Sequence, residues 1–101
     1  MVLPDSLIAF LREGIHNSVE ETQDMRPTFN DLIHRWGDED KGDPLSFIQG
    51  YIVGQLFAST LSTTSMTIKR QLNKEEKSQV MDLVDEVRFD VRDLITRLRN
   101  I

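Results

Sequence analysis

A chain of 101 residues, 39% hydrophobic and 29% charged, is long enough for one core in a single domain spanning 1–101, and its composition is that of a folded globule rather than a disordered chain. It has no cysteine, which excludes disulfides and thiolate metal sites, and Val2-Leu3-Pro4-Asp5 lacks the basic start and apolar run of a secretion signal, so a cytoplasmic protein is expected. The net charge of −5 falls mostly on residues 1–50, with ten acids against four bases, while residues 51–101 hold seven against eight, a distribution that disfavours nucleic acid as a partner.

The first helix is expected over about 6–23, opened by Asp5 or Ser6 as cap. Leu3, Leu7, Ile8, Leu11, Ile15 and Val19 form its apolar stripe, and Arg12, Glu13, His16, Glu20 and Gln23 point away from it. Gly14 weakens the middle by about 1 kcal/mol relative to alanine, so this helix depends on packing.

Pro27 marks a break, and Thr28 with Asp31 resembles a capping box for a short helix over about 29–36. Phe29, Leu32, Ile33 and Trp36 share one face, with Trp36 as a core anchor, and Gly37 supplies the stop.

Residues 37–42 read as a loop, after which Asp43-Pro44 opens a long helix over about 44–70, with the acid at the cap and proline at the first helical position. No charge occurs from Pro44 to Ile68. Gln49, Gln55 and seven Ser or Thr between 59 and 67 are too polar for hydrocarbon, so the Gly50 to Gly54 spacing belongs to a helix packed in protein, with no membrane partner expected. Gly50, Gly54, Ala58 and Ser62 make a ridge of small side chains that lets another helix approach closely, whereas Ile48, Ile52 and Leu56 lie on a different side. The Ser/Thr-rich stretch 59–67 has middling helix propensity and is a place for a bend or fraying.

Asn73, with Glu76 three residues on, opens the last helix, expected over about 74–100 without interruption. Val80, Val84, Val87, Val91, Leu94, Leu98 and Ile101 repeat at alternating steps of four and three, a seam of 3.5-residue period, and Phe89 stands opposite it among charges. The fold class is therefore all-α: a helical bundle built on an antiparallel hairpin of two helices, each roughly 40 Å long at 1.5 Å per residue. The first helix is too short to cover both arms, so the seam predicts a homodimer in which two hairpins join as a four-helix bundle. The expected interface comprises Gly50, Gly54, Ala58, Val80, Val84, Val87, Val91, Leu94, Leu98 and Phe89.

Candidate chemistry is sparse. Glu13, His16 and Glu20, and Asp31 with His34, have the one-turn spacing of bundle metal ligands, but they lie on the solvent side of their stripes, so no metal or other cofactor is assigned. Asp38-Glu39-Asp40-Lys41-Gly42-Asp43 alternates like a calcium loop, yet Asp43 stands where glycine is required and Gln49 replaces the bidentate glutamate. Asp82, Asp85, Glu86 and Asp93 invite comparison with the magnesium-binding acids of helical pyrophosphohydrolases, but they lie outside the seam, with Asp93 and Arg97 spaced to pair. Arg92, Arg97 and Arg99 oppose the negative end of a helix dipole rather than forming a phosphate-binding patch. The expected function is a non-enzymatic helical protein–protein interaction module, homodimeric, with the acidic first half available to another protein. The alternatives are a small acidic inhibitor or antitoxin-like protein that blocks a basic site, and a metal-binding bundle or pyrophosphohydrolase.

Overall fold

The computed structural model describes residues 2–40 and 43–99, apart from the side chains at 36–40, 44, 98 and 99. Trp36 as an anchor and the side chains of Asp38 to Asp40, Leu98 and Arg99 consequently lie outside what is described, as do residues 41, 42 and 101 altogether. Five helices and no strands are present among the described residues, an all-α bundle: α1 (Asp5–Thr22), α2 (Arg26–Asp40), α3 (Pro44–Ile68), α4 (Lys74–Asp85) and α5 (Arg88–Arg99).

Of the expected stripe, Leu7, Leu11, Ile15 and Val19 of α1 are buried, as is Leu3 just before it, whereas Ile8 is only partly buried. Its cap position is held by Pro4 without a side-chain hydrogen bond, so neither Asp5 nor Ser6 caps it. α2 begins at Arg26 rather than near Phe29, because Pro27 falls in the first turn, where its missing N–H has no helical partner to lose. Thr28 therefore lies inside the helix, and Gly37 does not stop it, since α2 continues to Asp40.

α3 opens as Asp43-Pro44 implies, with the Asp43 carboxylate accepting from the Leu45 N–H at 3.0 Å. The stretch 59–67 is continuous helix, its hydroxyls turned back onto the ladder: Thr64 Oγ1 donates to the Thr60 carbonyl at 2.7 Å and Thr67 Oγ1 to the Thr63 carbonyl at 2.8 Å. The helix ends at Ile68, short of the expected Arg70, because Lys69 turns left-handed at φ 61°, and the Lys69 and Arg70 N–H groups both donate to the Ser65 carbonyl. α4 then starts from a complete capping box: the Asn73 side chain accepts from the Glu76 N–H, and the Glu76 carboxylate accepts from the Asn73 N–H.

The last helix is divided, which sequence spacing did not show. At Glu86 and Val87 the ladder tightens, with the Glu86 N–H shared between the Asp82 and Leu83 carbonyls and the Val87 N–H donating to Val84 at 3.1 Å. An ideal helix lags a 3.5-residue seam by about 20° per heptad. A 3₁₀ residue turns about 120° instead of about 100°, so this short overwinding returns Val91 and Leu94 to the face set by Val80 and Val84.

α3 is the hub, packing against α1, α2, α4 and α5. The turn after Ile68 folds α4 and α5 back along it as the second arm of a hairpin. α1 runs alongside that arm in the same direction: the Leu3 N–H donates to Gln79 Oε1 at 2.9 Å, Arg12 pairs with Glu86 at 2.9 Å, and His16 and Glu20 share a groove with Asp90 and Asp93. α2 lies on the first half of α3, where Phe29 meets Tyr51 edge to face with ring centroids 6.3 Å apart. The molecule is 43 × 24 × 18 Å, with one core of Leu3, Leu7, Leu11, Ile15 and Val19 against Ile48, Ile52, Leu56 and the α4–α5 seam.

Candidate interaction surface

Among the described residues, the seam from Val80 to Leu94 is closed within one chain. Val80, Val84, Val87, Val91 and Leu94 are 0–3% exposed, so the requirement for a second copy to shelter them falls. α1 lies lengthwise beside α4 and α5 instead of ending short of them, and Ile48, Ile52 and Leu56 close the seam from the other side. Hydrophobic burial is satisfied by whichever apolar face arrives, and here two faces of the same chain do so.

The small-residue ridge has the opposite fate. Along α3 the four-residue series Ile48, Ile52, Leu56, Thr60 and Thr64 is buried, while Gly50, Gly54, Ala58, Ser62 and Met66 are exposed. A Cβ added at Gly50 or Gly54 would meet no atom within 4 Å. Tyr51, Val53, Phe57 and Leu61 border this ridge and are only partly buried against the core. The outer face of α3 thus holds no charge, two glycines with open space above them, and Met66 at 76% exposure.

Beside this face, α1 and α3 diverge into a groove of about 270 Å³ floored by Leu11 and Ile15. Its walls are small on both sides, Gly14 and Ser18 from α1 and Ser59 and Thr63 from α3, with Phe10 at one end. Phe10 is 61% exposed. Sequence reading passed over Phe10 because it falls outside the α1 stripe; that very displacement, a phenyl on a solvent face, was the available signal.

Phe89 projects away from the seam at 74% exposure, with the Arg92 guanidinium 5.9 Å from its ring centre.

The acids and histidines are exposed: Glu13, His16 and Glu20 on α1, and Asp31 and His34 on α2, where Asp31 pairs with Arg35 at 3.1 Å. Among the described residues no group of three or more His, Asp or Glu is placed to hold a metal ion. Of the four acids compared with pyrophosphohydrolase ligands, Asp85 lies 3.6 Å from Arg88 and Glu86 is held by Arg12, whose hydrogen bonds keep the Glu86 carboxyl below its usual range and raise the guanidinium's affinity for its proton. Arg97 does not meet the Asp93 carboxylate as the spacing implied; its Nε donates to the Asp93 carbonyl at 3.4 Å. His16, Glu20, Gln23, Asp90, Asp93 and Arg97 line a polar groove of about 260 Å³ between α1 and α5. Among the described residues no helix is long and apolar enough to cross a membrane.

No family model, curated protein or solved structure matches this chain.

Proposed function

We propose that the chain is a non-enzymatic helical interaction module whose docking surface is the uncharged outer face of α3. One observation carries this reading: a 25-residue helix without a single charge turns Gly50, Gly54 and Ala58 to solvent. Surface helices of a monomer ordinarily present charged residues on their outer side. Each solvent-facing helical glycine costs about 1 kcal/mol relative to alanine, and among the described residues none comes within 4 Å of a Cβ added at Gly50 or Gly54. Close approach of a second helix is the use that small ridges serve.

In this reading the homodimer forms through α3 rather than through Val84 and Val87, and Phe89 lies outside the interface. The cysteine-free composition suits a reducing, cytoplasmic setting. Binding of a basic protein, as a small acidic inhibitor would do, is the second reading, favoured by the acids Glu20, Asp90 and Asp93 in the α1–α5 groove. The two differ in salt response: docking on α3 is nearly indifferent to ionic strength, whereas a charge-steered encounter slows steeply as salt rises.

A photo-crosslinking residue placed at Ala58, compared with one at Asp82, tests the proposal in intact cells. A discrete protein adduct at position 58 and none at 82 is expected; no adduct at 58, or equal adducts at both, overturns it.

A further inference from the structure

Resting on the reading of α3 as a docking face, we infer that its occupant is a second copy of this chain, anchored by Phe10 of each copy seated in the α1–α3 groove of the other. Phe10 stands at the end of that groove, one helical turn before Gly14 in its wall. A knob beside a hole on the same face is what a two-fold contact requires, since residue i of one copy must meet residue j of the other and the reverse. The groove has room for the ring: it measures about 270 Å³, and a cavity of about 150 Å³ accommodates benzene.

Charge narrows the occupant further. None of the groove-lining residues is charged, and neither is any residue of α3. A basic or acidic partner would find no counter-charge in this groove or on α3, while a copy of the chain brings the same uncharged groove and helix. The dimensions also suffice. α3 spans 25 residues and α1 18, about 37 and 27 Å at 1.5 Å per residue, each helix being roughly 10 Å across. That gives about 640 Å² per copy and about 1,300 Å² in total, near the lower end of stable, specific interfaces.

Sedimentation velocity of the full chain from about 1 to 500 μM is the test, with Phe10→Ala, Gly14→Leu, Ala58→Glu and Phe89→Ala alongside. Gly14→Leu places a side chain in the groove at a position where an added Cβ meets no atom within 4 Å, and helicity by circular dichroism verifies each fold. The wild type should dimerise, Phe10→Ala and Gly14→Leu should each weaken dimerisation by about ten-fold or more, and Phe89→Ala should leave it unchanged. A wild type that stays monomeric overturns the inference. A dimer broken by Ala58→Glu but indifferent to Phe10→Ala and Gly14→Leu overturns the anchor while sparing the α3 face; a dimer indifferent to all three overturns both.

Discussion

The Arg70 guanidinium grips the Glu76 carboxylate with two hydrogen bonds of 2.7 Å, and Glu76 is 1% exposed although it also closes the cap of α4. One buried carboxylate therefore ties the left-handed turn that ends α3 to the first turn of α4. The Arg70 hydrogen bonds first, then the Asn73 N–H, hold the Glu76 carboxyl at about 2, against an ordinary value of 4.5. Because the folded state depresses this pKa, the stabilisation is complete above about 4.5, the unfolded value, and is lost as pH falls towards 2. Chemical denaturation across that window is expected to show a steep loss of stability in the wild type and a shallower one in Glu76→Gln, which also starts from a lower value at neutral pH. Parallel pH profiles would contradict this assignment.

Val87→Asp is expected to unfold the protein rather than to yield a folded monomer. Val87 is 1% exposed inside the chain's own core, and an unpaired buried charge costs several kcal/mol against a total stability of about 5–15 kcal/mol. Loss of helical circular dichroism and of a cooperative thermal transition is the predicted observation; a folded, monomeric Val87→Asp would restore the seam as an interface between copies.

How much of this was legible in the sequence varies with the range of the physics. The Asp43-Pro44 start and the Asn73–Glu76 box are local hydrogen-bond geometry, and both are present. The stripe from Leu3 to Val19 and the seam from Val80 to Leu94 are periodicity, and both are buried except for Ile8, which is partly so. What periodicity lacks is the identity of the cover: Val80 and Val84 announce a face that must be sheltered, but nothing in their spacing says that α1 will lie alongside. The tightening at Glu86 and Val87 follows from a mismatch between helix and seam that only the packed core resolves. The outer ridge of α3 was visible as a run of small residues, whereas its exposure, and the groove that Phe10 borders, needed the fold.

Thr64→Val should raise stability by up to about 1 kcal/mol. Thr64 is fully buried, and its hydroxyl returns to the Thr60 carbonyl of its own helix, a bond that adds little to a ladder already formed. A higher thermal midpoint is the expected result; a loss above about 1 kcal/mol would mean that the hydroxyl has a structural role in the core.

Gly50→Ala and Gly54→Ala should each stabilise the monomer by about 0.5–1 kcal/mol, since both glycines are helical and an added methyl meets no atom. The same methyls stand on the proposed docking ridge, so the double variant should melt higher when dilute and dimerise more weakly. Denaturant midpoints at low concentration, paired with dissociation constants, separate the two effects. Tighter dimerisation of the double variant would argue that the ridge is not a contact.

The central claim is that a second copy of the chain covers the charge-free outer face of α3, and sedimentation equilibrium of the intact chain beside Ala58→Glu tests it most directly. The account predicts a dimeric wild type and a folded, monomeric Ala58→Glu. A wild type that is monomeric at every concentration, or an Ala58→Glu that dimerises as tightly as the wild type, would contradict it.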